Sequence, residues 1–268
     1  IRIRDWSSDV CSSDLHRHEI FSSAQGITLP NLVALAEQQK VLGELARPRT
    51  GGGAGFITMD EPEHGAQRKA VSPTVAPANL QRMAPIVRER AGLILDSLPI
   101  GKEFDWVDLV SKELTAMTLA TLFDFPFEDR RKLTYWSDIV TNPPGHGPVK
   151  SWEHKFQAMG ECFGAFEELW NQKVNAEPSA DLISMLVHNP ATRNMDRDTY
   201  RGNVILLIVG GNDTTRNTMS GSVVALNQFP AQYDKLRANP ALIPSMVSET
   251  IRWQTPLAHM ARVAKKDF

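Results

Sequence analysis

In the run VILLIVGGNDTTRNTMSGSVVAL, an acid and a hydroxyl, Asp213 and Thr214, directly follow the pair Gly210-Gly211. The first half of this stretch is apolar on every side, so Tyr200 to Leu226 is predicted to be a helix through the middle of the protein. Each glycine there gives up helix propensity, about 1 kcal/mol against Ala. The missing side chains open a groove where a small ligand approaches the backbone. Thr214 is spaced to bond back to the Gly210 carbonyl, which bends a helix. An acid and a hydroxyl at core depth beside such a groove break the local pattern in the way expected at a functional site. The competing reading is a glycine-mediated helix crossing with an ordinary cap.

Two further clusters carry charge chemistry. Glu249 and Arg252, three apart in ETIR, pair by helical proximity. Glu44/Arg47 and Glu128/Arg131 share that spacing. What distinguishes Glu249/Arg252 is an apolar setting of Met246, Val247, Ile251 and Trp253, which predicts a buried pair needing further partners. In DEPEHGAQRK, Pro62 opens a helix and puts His64 and Arg68 one turn apart. Together they suit a carboxylate clamp, with Arg offering a bidentate fork, or else a solvated surface pair. Arg262, in HMARVA, has the same two readings. No HExxH spacing, GxSxG elbow or Rossmann fingerprint occurs, so a metal site built from side chains is not expected.

These residues need helices to position them. Apolar residues recur at three- and four-residue spacing from Pro77 to Leu98 and from Phe104 to Phe125. Pro126 breaks the second pattern, and TNPPGHGP at 141–148 is a loop. Helices are predicted again from Ser151 to Asn175 and over the DLISMLV run at 181–187. Gly26 to Ala54 reads as loop with one short helix, and GGGAG at 51–55 as a flexible connector. The fold class expected is mainly α, in one domain over residues 16–268. Residues 1–15, IRIRDWSSDVCSSDL, have no period and look like a non-native, adapter-derived leader.

The 268 residues carry 29 Lys plus Arg against 31 Asp plus Glu, which gives no field to draw nucleic acid or an anionic membrane. The longest apolar run, Val204 to Val209, is far below a membrane span's roughly 20 residues. Two cysteines exclude a disulfide framework and fit a reducing cytoplasm.

In their order along the chain, DEPEHGAQRK, VGGNDTTRNT, the ETIR helix and PLAHMAR resemble the cytochrome P-450 haem-thiolate monooxygenases. LFDFPFEDRRKLT, DLISML, ILLIVGGNDTTRNTMSG and RWQTPLAHMAR are similar to the bacterial terminal alkane hydroxylase branch. The resemblance implies heme b, with His64, Arg68 and Arg262 at its propionates and Gly210 and Gly211 forming an oxygen-side groove. It implies that Asp213 and Thr214 relay protons during dioxygen cleavage, while Glu249 and Arg252 are structural. Ile208, Val209, Leu257 and Ala258 would line an apolar substrate pocket. The expected reaction is terminal hydroxylation of medium-chain alkanes or fatty acids, with electrons from a ferredoxin and its reductase. A terminal hydroxylase of sterol or branched-lipid side chains is one alternative; a non-catalytic helical binding module without haem is the other.

One departure stands out. The family's iron-binding cysteine lies in a Phe- and Gly-rich loop beyond the ExxR helix. Cys162, in GECFGAF, precedes the central helix and lacks that pattern, and Cys11 is in the leader. The chain is therefore expected to be an internal fragment truncated at both ends, inactive by itself, with the iron ligand outside it.

Overall fold

A computed structural model of the chain describes residues 17–24, 26–27, 40 and 55–266. The leader 1–15, the pair Glu44/Arg47, residues 51–54 of the glycine-rich connector and nearly all of the loop before them lie outside these residues. In chain order the helices are α1 (Glu63–Val71), α2 (Pro77–Asp96), α3 (Glu113–Phe123), α4 (Arg131–Thr141), α5 (Trp152–Val174), α6 (Leu182–His188), α7 (Arg197–Gln228), α8 (Pro230–Ala238) and α9 (Ile243–Gln254). Strands among the described residues are one antiparallel pair, β1 (Phe21–Ser22) and β2 (Val263–Ala264), with Phe21 opposite Ala264. The chain is mainly α, as its periodicity predicts.

Local chemistry sets the helix ends. Pro77 starts α2, its fixed φ suiting the first helical position. Ser151 caps α5 by accepting the His154 backbone N–H at 3.1 Å. Asp124 ends α3 and Thr255 ends α9, both in the left-handed region at φ 53° and 48°. The helix expected over Phe104–Phe125 is divided: Val107–Lys112 winds as a π-helix before α3 takes over. Within it Ser111 is fully buried, and its hydroxyl meets that of Ser220 at 2.9 Å.

The chain divides into two compact units. The first holds residues up to Ala70, Asn189–Leu206 and His259 onward. Here Asp60 ties the strand pair: it accepts from the Ser22 hydroxyl at 2.7 Å and the Ser23 N–H at 2.8 Å, and pairs with Lys265 at 2.8 Å. Gly55 packs against the backbone of α7, where a Cβ would lie 2.6 Å from the Gly202 carbonyl oxygen. That approach lets the Phe56 N–H donate to buried Asn203 Oδ1 at 2.7 Å. Asn203 Nδ2 in turn donates to Gln67 of α1 at 2.8 Å.

The second unit holds Val71–His188 and Leu207–Ala258. Its core is aromatic: the Phe166 ring lies 5.2 Å from Phe123, 5.5 Å from Phe125 and 6.3 Å from Trp136. Lys173 bridges Asp124 and Asp181, joining the ends of α3 and α5 to the start of α6, where Asp181 Oδ1 also accepts the Ser184 N–H at 2.8 Å. Lys155 closes the C-terminus of α4 by donating to the carbonyls of Val140 and Asn142, at 2.9 and 2.8 Å.

Candidate functional site

The long helix α7 spans 32 residues. Its expected burial on every side is corrected by the exposures. Tyr200, Val204, Ile208 and Asn212 are buried at a spacing of four, with Asn203 beside them, while Gly210 and Thr215 are exposed. A four-residue spacing traces one helix face, so only that stripe packs inward and the other apolar residues are half covered. Ile208, expected to line a substrate pocket, is fully buried on the stripe. Of the other lining candidates, Val209 is half-buried, and Leu257 and Ala258 are exposed.

The two glycines have different surroundings. A Cβ on Gly210 would meet nothing within 4 Å, whereas one on Gly211 would come within 2.7 Å of Leu119 Cδ2. Gly210 leaves the open notch; Gly211 permits close packing of α3 on α7. Thr214 donates its hydroxyl to the Gly210 carbonyl at 2.9 Å, the back-bond its spacing predicts.

Asp213 sits in a network that extends beyond the sequence motif. Its Oδ1 accepts from the Ser137 hydroxyl at 3.0 Å, Asn212 Nδ2 at 2.8 Å and Arg216 Nη2 at 3.0 Å. Arg216 also donates to Asp138 Oδ1 at 2.8 Å, so one guanidinium joins two carboxylates. Asp138 and Arg216 border an open polar cleft of about 700 Å³, together with Lys112, Arg131, Tyr135 and Asn142. This arrangement can hold an ionised carboxylate close to a hydroxyl and give it a polar path to water. Arg216 was discoverable from the sequence as a cation three residues after Asp213; Ser137 and Asp138 come from α4 and left no local signal.

In the first unit, the His64 ring faces the Phe56 carbonyl, with Nδ1 at 2.8 Å. A carbonyl only accepts, so Nδ1 carries the hydrogen and Nε2 is left for another partner. Arg68 is exposed on the same helix, and Arg262, half-buried, donates to the Ala261 carbonyl at 2.7 Å.

Glu249 and Arg252 form the expected pair as a two-pronged fork, at 2.7 and 2.6 Å. Its expected burial is wrong: the side chains are 60% and 70% exposed. The fork closes along α9's own surface and so needs no tertiary cover, and Val247, Ile251 and Trp253 around it are exposed as well. At the third ExxR, Arg131 turns instead to Asp108 at 3.1 Å and Glu113 at 3.3 Å. Cys162 is fully buried, and burial pushes its thiol up to about 12, which makes it inert as a ligand or nucleophile. Among the described residues no group of three His, Cys, Asp or Glu side chains is placed to hold a metal ion.

No family model matches the chain. It is 33% identical to linalool 8-monooxygenase of Pseudomonas putida over 216 residues, 80% of this chain and 53% of that protein. Its structure is similar to a cytochrome P-450 of the 153 group from Novosphingobium aromaticivorans, with TM-score 0.77 and 43% identity over 93% of this chain and 60% of that one. It is also similar to CYP153D17 from a Sphingomonas species, with TM-score 0.78 and 46% identity at the same coverages. The chain thus spans between about half and three-fifths of the length of these relatives.

Proposed function

Because the chain belongs to the cytochrome P-450 superfamily, we propose that the protein is a haem-dependent monooxygenase that hydroxylates a hydrophobic substrate. The substrate class we favour is medium-chain alkanes or fatty acids, attacked at the terminus, with a ferredoxin and its reductase supplying electrons in the cytoplasm. The observation that carries this reading is the notch on α7: open space at Gly210 beside a hydroxyl and a hydrogen-bonded acid.

Each unit offers groups that suit a haem. His64, Arg68 and Arg262 are the groups to hold its propionates. Nδ1 of His64 is committed to the Phe56 carbonyl, which leaves Nε2 as the nitrogen that would face a propionate. The absent Cβ of Gly210 leaves room for a flat group against the backbone. Cys162, buried with its thiol raised, does not suit the iron. When bound, haem supplies the redox centre at which dioxygen is activated. The chain's own part is then to exclude bulk water and deliver protons: Asp213 takes them from the cleft side, and Thr214 holds them near the notch. Glu249 and Arg252 take a structural role.

Linalool 8-monooxygenase, by its name, oxidises linalool, and this makes linalool the second substrate to try.

The test is product formed per NAD(P)H oxidised in the full-length, haem-loaded protein with a ferredoxin system. Thr214→Val should keep NAD(P)H oxidation, accumulate hydrogen peroxide and lower product. Thr215→Val, about 100° round the helix, should be milder. Unchanged coupling in Thr214→Val would remove the residue from the mechanism.

A further inference from the structure

We infer that Asn212 is a positioning residue for the proposed proton relay: by donating to one oxygen of Asp213 it leaves the other as the oxygen that takes up and releases the proton. This rests on the reading of Asp213 as the relay acid.

The two oxygens of Asp213 are unequal. Oδ1 accepts three hydrogen bonds, from Ser137, Asn212 and Arg216, and no described group donates to Oδ2. Protonation at Oδ1 would have to displace one of those donors, whereas Oδ2 can gain a proton and lose it again with all three in place. The proton is taken up from water at Oδ2 and given up again from it; no other bond changes.

Asn212 itself is costly to keep. It is fully buried, and its own Oδ1 has no partner. A buried acceptor without a donor is rare in native proteins and disfavours folding. Leucine at this position would fill a similar volume on the core-facing stripe without that penalty. What asparagine adds is the Nδ2–H that reaches Asp213 at 2.8 Å. The reversed amide would set oxygen against carboxylate oxygen at that distance, so the donating orientation is the one an ionised Asp213 selects. Ser137 reaches the same oxygen from α4, and Arg216 is steadied by Asp138 at 2.8 Å. The carboxylate is therefore gripped from two helices on a single atom.

The experiment uses the haem-loaded protein and its Asn212→Leu, Asn212→Asp, Ser137→Ala and Asp213→Asn variants. One readout needs no turnover: the infrared carboxylate bands of Asp213, obtained as the difference between each protein and its own Asp213→Asn version. Unequal hydrogen bonding of the two oxygens separates the asymmetric and symmetric stretches widely, and Asn212→Leu should narrow that separation. The other readout is the solvent deuterium isotope effect on product formation, which should rise in Asn212→Leu and Asn212→Asp. Product per NAD(P)H should fall by on the order of ten- to a hundredfold, the effect of losing one hydrogen bond to a charged group. Asn212→Asp sets a second carboxyl against Asp213, and the proton that the pair must share restores a donor there, so its effect should be smaller than that of Asn212→Leu. Ser137→Ala should move both readouts the same way, which keeps the test open if an Asn212 variant fails to fold.

Unchanged bands and isotope effect in the Asn212 and Ser137 variants, with Asp213→Asn still impaired, would overturn this inference and leave the relay standing. Normal turnover in Asp213→Asn would overturn both.

Discussion

A Cβ on Gly211 would approach Leu119 Cδ2 to 2.7 Å, while its neighbour Gly210 would accept one with nothing inside 4 Å. Gly210→Ala should therefore gain helix propensity without a clash, about 1 kcal/mol of stability. In Gly211→Ala the same gain meets overpacking against Leu119, only 2% exposed, which costs about 1–3 kcal/mol. Melting temperatures should rank Gly210→Ala above the parent and Gly211→Ala at or below it. Gly210→Ala should also lose haem or turnover, because the notch is filled. Equal melting temperatures would refute the division of roles between the two glycines.

Asp60 should give an acid-labile link. Burial alone would raise its carboxyl, but hydrogen bonds from Lys265, Ser22 and the Ser23 N–H, with the Lys265 charge, outweigh that and lower it to about 2 from an ordinary 3.8. A depressed carboxyl stabilises the fold above its unfolded value, so this contribution is present above pH 3.8 and lost as the pH falls towards 2. The partners are partly solvated, so the screened contribution is about 1 kcal/mol. Asp60→Asn should lower the melting temperature at pH 7, and the gap to the parent should close near the acid end. A gap that persists at the lowest pH would contradict the linkage.

The Lys173 cluster carries a larger effect. Burial opposes Asp181's charge, yet donors from Ser179, Ser184 and Lys173 hold it below 3.8. Burial likewise opposes Lys173, and Asp124 and Asp181 hold it above 10.5. Asp181's share is thus lost as the pH falls below 3.8, and that of Lys173 as the pH rises beyond 10.5. Lys173→Met strands Asp181, 7% exposed, and should destabilise the protein by about 3 kcal/mol in urea unfolding at pH 7. A loss under about 1 kcal/mol would mean that the pair is solvated.

Cys162 should be silent. In the native protein it should resist alkylation at pH 8, since burial lifts its thiol to about 12. Cys162→Ala in the full-length, haem-loaded protein should leave the thiolate-type absorption of the reduced carbon monoxide complex intact. Loss of that band would make Cys162 the ligand.

How much was legible in the sequence depended on the distance over which each feature is decided. Helices α2 and α5 lie within two residues of their predicted limits and α7 within three, because period, proline and capping serine are local signals. The Thr214 back-bond is local too, spanning four residues. Which glycine opens and which packs depends on Leu119, some ninety residues earlier in the chain, and no helix-propensity argument separates them. Ser137 and Asp138 reach the Asp213 network across 76 and 78 residues. For Glu249/Arg252 the apolar neighbours foretold burial that the structure does not have, since apolar composition states a preference for cover and not its presence. The π-helix at 107–112 shows no sequence signal that we can identify.

Gly55 has a consequence in genetic terms. Any side chain there must push back the Gly202 carbonyl, 2.6 Å from the would-be Cβ. That displacement pulls the Phe56 N–H off Asn203 and with it the Phe56 carbonyl on which His64 is oriented. Position 55, buried against that carbonyl, should thus be nearly intolerant in a saturation library. Revertants should arise at the codon itself, because position 202 is already glycine and has no side chain left to give up.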